Sequence, residues 1–425
     1  MRAARWLAVG ALAAMTLACA KREAIVNPDA PMWLHRPSWA LHVTFRRLLV
    51  AEQGLAAKTG LEKGVPAIDP HHGRIFVGTS DRALYALRAG DGSTLWRFQT
   101  AGTVQCEPAY DEELDTVFFG SDDAGIYAAR AKDGKLRWRY ATGAEVQKRP
   151  IVVARPNGKK IVVFVNAADS VFAADAQTGQ PLWKRVRTPA LGLEVSGHAG
   201  VAVDHDRVYA AFSTGKVVAY DVDTGQDKWP EVDLSAPTGA GQDNSAQTYF
   251  DVDTTPVVHG DRVFVASVMT GVYALDATGA AQIWKRPEAQ GVSWLTYWSE
   301  PAHTDPTTKV TLPERALLIA GSGTTGLWAL DPKSGEVRWR AKAPRGAFSH
   351  PVVLGGALLV TSSKLGLYLF DPLHGQPIDG IDPGTGFSGG AASYENRAFV
   401  VDNAGVLLGI DVTPPSDGPR TAKTW

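Results

Sequence analysis

The sequence predicts an all-β fold: an eight-bladed β-propeller of four-stranded antiparallel blades, closed by an N-terminal strand. Three observations predict it. One phrase, an apolar strand followed by a tight glycine turn and usually a tryptophan, returns eight times along the 425 residues. Trp96, Trp138, Trp183, Trp229, Trp284 and Trp339 step by 42, 45, 46, 55 and 55 residues. A period of that length, filled with short strands, marks a radial array of small sheets. The last copy is one strand short, and the N-terminus carries a spare strand.

Each copy reads as four strands. In the first these are Pro66-Ala67-Ile68, Arg74 to Gly78, Ala83 to Leu87 and Thr94 to Phe98. Aromatic and β-branched residues fill these runs, and Gly or Asp-Gly separates them. Asp91-Gly92 suits a two-residue hairpin, because glycine accepts positive φ without steric cost. The second copy has Ile126 to Ala129, Asp133-Gly134 and Trp138. The third has Val171 to Asp175, Thr178-Gly179 and Trp183. The tryptophan stands four residues after the turn glycine in five of six copies. Trp284 stands five after Gly279, so one extra residue is expected in that turn. A fixed offset puts the indole on one face of the outermost strand, where it docks on the edge between neighbouring sheets. A ligand-stacking ring does not fit residues at the periphery of each unit.

The seventh copy runs from Pro351 to Gly375 and lacks its tryptophan, with Pro377-Ile378 nearby. The eighth starts at Ala391-Ala392, reaches Asp411 and stops at Pro414-Pro415, where a central strand cannot continue. Ser38 to Phe45, with Trp39, has the pattern of Thr94 to Phe98. An open sheet edge invites aggregation, so this segment is expected to complete the eighth blade, with Trp39 as its dock.

Composition is that of a globular protein, 45% hydrophobic and 20% charged, with a formal net charge of -1. No basic stripe favours nucleic acid. After the N-terminus no apolar run reaches the ~20 residues that span a bilayer. Residues 1–20 read as an export signal: Arg2 and Arg5, then an apolar core from Leu7 to Leu17. Thr16-Leu17-Ala18-Cys19 resembles a lipoprotein signal, with Cys19 acylated; the rival cut follows Ala20. Ala20, not aspartate, at the second mature position points to the outer membrane. Residues 21–32 are a tether, 33–413 the propeller and 414–425 a C-terminal tail. Either cut leaves Cys106 without a disulfide partner.

Enzyme signatures are scarce, and no catalytic, metal or cofactor group is expected. His71-His72 are adjacent, so in a strand they would point to opposite faces; they read as a polar turn before Gly73. His198 and His205 lack a Cys or carboxylate at ligand spacing. Ser196-Gly197-His198 lacks the Gly-x-Ser-x-Gly elbow. Gly321-Ser322-Gly323 leads into another strand, not a helix, and is a hairpin turn.

Three stretches break the repeat, and loops on a rigid scaffold are where function concentrates. Residues 188–197 contain Leu191 and Leu193, which either cap the third blade or form an exposed apolar patch. The stretch from Leu234 to Phe250 is polar and ends in Asp251-Val252-Asp253-Thr254-Thr255-Pro256. In an extended chain Asp251 and Asp253 share a face, as turn caps or as an acidic docking edge. Residues 292–314 carry Trp294, Tyr297 and Trp298, residue types common both in cores and in interfaces.

The unit Ala174-Asp175-Ala176-Gln177-Thr178-Gly179-Gln180-Pro181-Leu182-Trp183 resembles the quinoprotein-type propeller repeat. Two kinds of protein carry it. Quinoprotein alcohol dehydrogenases use a vicinal cysteine pair, an aspartate base and a calcium site; this chain has no adjacent cysteines. The other kind is the BamB-type lipoprotein family of the outer-membrane β-barrel assembly machinery. Asp251 to Val258 resembles that family's segment between its middle blades, and Pro189-Ala190-Leu191-Gly192-Leu193 its leucine loop. The resemblance implies a non-catalytic scaffold, lipid-anchored on the periplasmic face of the outer membrane. It implies docking on the barrel subunit's periplasmic domains through Leu191, Leu193, Asp251 and Asp253, and contact with unfolded outer-membrane proteins. Glu194 departs from the arginine usual in the family, which leaves that charge contact open. The alternative is a quinoprotein-like periplasmic enzyme or ligand-binding propeller.

Overall fold

The computed structural model describes residues 40–50, 62–189, 198–235, 252, 254–304, 309–341, 347–364 and 366–413. Every regular element among these is a strand. They form eight four-stranded antiparallel sheets, the blades of a propeller, and one two-stranded ribbon. Blade 1 is Ala67–Asp69, Arg74–Thr79, Ala83–Arg88 and Thr94–Gln99, paired in that order outwards from the axis. Blades 2 to 7 repeat this order up to Pro377–Ile381.

The second and third strands of blade 1 are almost wholly buried, while the fourth alternates between exposed and half-buried residues. Hence the apolar second and third runs and the mixed fourth. The core consists of eight wedges between the blades. One wedge joins Phe76, Leu84 and Ala86 of blade 1 to Val117, Phe119 and Tyr127 of blade 2.

Blade 8 closes as expected. Its own strands are Ala392–Tyr394, Arg397–Val401 and Val406–Thr413. The strand Ala40–Leu48 pairs antiparallel with the last of these, His42 opposite Asp411. Leu41 and Val43 pack into the wedge between blades 7 and 8. Trp39 lies outside the described residues. In this closing strand it is Phe45 that packs on the turn of blade 1, against Gly92.

Two local expectations are corrected. The turn between third and fourth strands is not a two-residue hairpin. In blade 1 the Gly92 N–H donates to Arg88 O at 2.8 Å and the Arg88 N–H to Ser93 O at 2.8 Å. Four residues are therefore looped out, and glycine ends the turn at φ +69. In blade 3 Asp175 Oδ1 accepts the N–H groups of Gln177 and Thr178 at 3.0 and 2.8 Å. The spacing Asp-x-x-Thr-Gly is thus one capped turn. The second correction concerns Trp284. Ala280 N–H donates to Asp276 O, and Ala280 holds the left-handed position at φ +63. Trp284 stands four residues after Ala280, so this turn has the common length. Gly279 merely precedes the position that glycine fills elsewhere.

Candidate functional site

Successive blades are locked together by the tryptophans. The indole N–H of Trp96 donates to Ala131 O at 2.9 Å, and that of Trp138 to Ala176 O at 3.0 Å. Trp183 reaches Val222 O at 2.8 Å and Trp229 reaches Ala277 O at 3.0 Å. Trp284 bonds Pro332 O at 3.1 Å and Trp339 bonds Pro372 O at 2.8 Å. Each acceptor lies in the next blade, in the turn after its third strand. In five of the six docks the same ring covers that turn's glycine; the turn that receives Trp229 has Ala280 at this position. A Cβ on Gly179 would lie 2.6 Å from Trp138 Cδ2. Glycine is required there twice, for its φ of +73 and for the room the indole takes.

Blade 7 breaks the pattern. Asp379 holds the register position of Trp339, opposite Leu369 where Trp339 faces Ala329. Its carboxylate accepts the backbone N–H of Leu41 in the closing strand. Blade 8 takes its fourth strand from the N-terminus, so it has no third-to-fourth-strand turn to receive an indole. Sequence reasoning missed Asp379 and Phe45, although the absent tryptophan beside Pro377-Ile378 was the available signal.

Leu191, Leu193, Glu194, Asp251, Asp253 and Cys19 lie outside the described residues. Their flanks are well anchored. Val252 is fully buried in the wedge that holds Trp229 and Leu234. The Thr254 hydroxyl donates to Ala266 O at 3.0 Å and accepts the Ala266 N–H at 2.8 Å. Thr255 Oγ1 accepts the Gly200 N–H at 3.1 Å, tying the start of blade 5 to that of blade 4. His198 is 2% exposed, and neither ring nitrogen has a partner among the described residues. Burial, with help from the Lys148 ammonium, pulls its pKa down to about 3, so it is neutral at ordinary pH.

The axis carries a second cluster. Lys148 precedes blade 3, and its ammonium lies 5.1 Å from the ring centroid of Trp294, in the innermost strand of blade 6. This cation–π contact crosses the centre of the ring. Trp294 in turn meets the His350 ring at 5.4 Å. Arg149 pairs with Glu107 at 2.7 Å. Cys106 is fully buried beside them, and burial pushes its thiol up to about 12, which leaves it unreactive. Of the third unusual stretch, Trp298 is core, 2% exposed, and Tyr297 stacks on His259 at 3.8 Å. Beyond them the hairpin projects as the ribbon His303–Thr304 with Thr311–Leu312.

His71 and His72 sit in the turn between the first two strands of blade 1. His71 Nδ1 is 2.6 Å from Glu112 and His72 Nδ1 is 3.1 Å from Asp69, which also bonds buried Arg74. The two rings serve separate carboxylates.

The family model described as outer membrane protein assembly factor BamB matches residues 112–296 and 291–378. A BamB of Legionella pneumophila is 23% identical over 226 residues, 53% of each chain. A polyvinylalcohol dehydrogenase of Sphingopyxis is 27% identical over 56% of this chain and 45% of its own. The chain thus spans about half the length of these curated relatives. Among solved structures, BamB from Moraxella catarrhalis superposes with a TM-score of 0.66 at 17% identity, over 88% of this chain and 100% of that one. A europium-containing methanol dehydrogenase gives 0.61 at 14% identity, over 85% and 84%. Both are likenesses of fold.

Proposed function

Since the chain belongs to the family of outer membrane protein assembly factor BamB, we propose that it is a non-catalytic scaffold that helps insert β-barrel proteins into the outer membrane. It docks on the periplasmic domains of the barrel-forming subunit and is held at the membrane by an acylated Cys19. The ring's role is positional. It holds those domains in place and offers strand edges to incoming chains by β-augmentation.

One observation carries this reading. Residues 190–197 and 236–253 each connect a fourth strand to the first strand of the next blade, on either side of blade 4. In an antiparallel four-stranded blade all such connections leave from one face of the ring. The described ends of both connections, Pro189 and His198 on one side of blade 4 and Ser235 and Val252 on the other, thus open on one face, which supports assigning Leu191, Leu193, Asp251 and Asp253 to one partner.

The test is binding of purified full-length protein to those periplasmic domains. Truncating a buried apolar anchor costs ~2 kcal/mol or more, whereas rim charges mainly tune association rate and salt dependence. Leu193→Ala therefore weakens binding more than Asp253→Ala at moderate salt, with the melting temperature unchanged. No association at any salt concentration, or unfolding of the leucine variant, overturns the proposal. The contact of Lys148, Trp294 and His350 across the axis favours one rival, a ligand-binding propeller; visible absorbance of a bound chromophore in the purified protein would support that rival.

A further inference from the structure

The fourth strands form the outer rim, and among the described residues each leaves one edge unpaired. Such an edge presents a row of free N–H and C=O groups. The composition of this rim is one-sided. Arg or Lys occurs twice in each of Ala40–Leu48, Leu136–Ala141, Pro181–Val186, Gln282–Arg286 and Val337–Ala341, and once in Thr94–Gln99. That makes eleven, against the two acids Asp233 and Asp379 in the remaining fourth strands. Arg97, Arg139 and Arg338 are ion-paired with Asp81, Asp123 and Asp331, and the other eight still leave the strands of the rim cationic in a chain whose formal net charge is -1.

The cations also recur in place. In five blades the residue after the tryptophan is Arg or Lys lying over an aromatic ring of the third strand. Arg97 lies 5.4 Å from Tyr85, Arg139 5.3 Å from Tyr127 and Lys184 4.9 Å from Phe172. Lys285 lies 4.9 Å from Tyr273 and Arg340 4.5 Å from Trp328. The ring beneath each cation fixes it beside the open edge. Apolar side chains stand next to them: Leu95, Leu136, Leu182 and Ile283 are each at least 40% exposed.

We propose that this rim accepts an extended polypeptide strand that alternates acidic and apolar residues, with the edge of Pro181–Val186 in blade 3 as its primary seat. Along that strand Leu182, Lys184 and Val186 are all exposed, so one face reads apolar, cationic, apolar. It contains no acid. Beside it the fourth strand of blade 4 is reduced to Val232–Asp233, which leaves the wall low on that side. Opposite charges across a strand pair attract and like charges repel. A second copy of this chain would bring an equally cationic edge, so the rim rejects self-association while admitting an acidic strand. The free backbone groups decide between a strand and an anionic lipid surface, because a bilayer offers them no matching row. The inference rests on the scaffold reading and specifies what the strand edges select.

The experiment uses the full-length protein and a fluorescent peptide of about ten residues, the upper end of the usual strand length, alternating Val with Glu. A Val-Lys peptide and phosphatidylglycerol vesicles are the comparisons. At about 50 mM salt the Glu peptide binds at least about tenfold tighter than the Lys peptide, and the preference shrinks as salt rises. Amide exchange slows along 181–186 when the Glu peptide is bound. Lys184→Glu with Lys285→Glu abolishes the preference, and Lys184→Gln, which keeps the ring covered by an aliphatic stem, reduces it. Equal binding of the two peptides, binding without amide protection, or capture by vesicles alone overturns the proposal. If the rim fails while the periplasmic domains of the barrel subunit still bind, the scaffold reading stands; if both fail, the scaffold reading goes too.

Discussion

The backbone N–H of Leu41 donates to Asp379 Oδ2 at 2.8 Å. This bond joins blade 7 to the closing strand at a junction where the register has an aspartate in place of tryptophan. Everywhere else that an indole docks, it takes a carbonyl from a turn. Here a carboxylate reaches the backbone of a strand.

Asp379→Ala should therefore loosen the closure first. A hydrogen bond to a charged group contributes about 1.5–3 kcal/mol, and a half-buried site puts the loss near the lower figure. Hydrogen exchange at the Leu41 amide should speed up before that of the other blades, and Asp379→Asn should retain most of the protection. Equal exchange in wild type and Asp379→Ala would refute this.

Deleting residues 33–45 removes Leu41, Val43 and Phe45 and bares the edge of Val406–Thr413. The truncated protein should melt lower and associate through that edge. Light scattering and thermal melts read this out; a soluble monomer with an unchanged melting temperature contradicts it.

Trp138 and Gly179 form one unit. Trp138→Ala should cost about 3–5 kcal/mol, the range for removing a large buried aromatic. Gly179→Ala should cost about 1–3 kcal/mol, through left-handed backbone strain and displacement of the indole. The two losses should not add, because the alanine methyl fits once the indole is gone. Chemical denaturation of both single variants and the double variant measures the coupling, and strict additivity would separate ring from turn. Trp183→Ala, at a more exposed dock, should cost less than Trp138→Ala and leave partner binding intact.

His198 predicts a pH dependence. The unfolded chain takes up its proton below about pH 6.5, while the folded protein resists it until about pH 3, chiefly because of burial. The folded state binds fewer protons in that window, so stability falls as pH drops from 6.5 towards 3. The slope from this one group approaches 1.4 kcal/mol per pH unit. His198→Leu should be close to wild type at pH 7.5 and about 2 kcal/mol more stable relative to it at pH 5. Parallel stability curves for the two proteins would show that the imidazole does not matter.

The sequence made some features readable and hid others for physical reasons. Blade number and closure were legible because turn chemistry and the tryptophan offset are local and recur. The two-residue hairpin was misread because Asp-Gly also ends longer turns, and the backbone bonds of Arg88, Gly92 and Ser93 decide which. Ala280 hid its role because a left-handed position is normally marked by glycine. Phe45 carries no signal of its dock in the sequence, because the repeat marks its docks with indoles while the one over Gly92 needs only an aromatic ring of suitable reach. Nothing local could reveal Lys148 over Trp294, since only the closing of the ring brings blades 3 and 6 face to face. The rim's charge was visible residue by residue, yet it acquires meaning only when those strands are known to be outermost.

The closing bond also fixes an order in time. Leu41 is made early and Asp379 late, 338 residues apart along the chain. Contacts that distant slow folding, because a long loop must close before they contribute. A product that ends before Val406–Thr413 lacks the strand that pairs with Ala40–Leu48 and stays an open arc with a bare flank. Completion of the final turn of the circle is thus a checkpoint written into the topology: chains cut short of Val406–Thr413 remain sticky and open to proteolysis, and only a chain that carries this strand can close the ring.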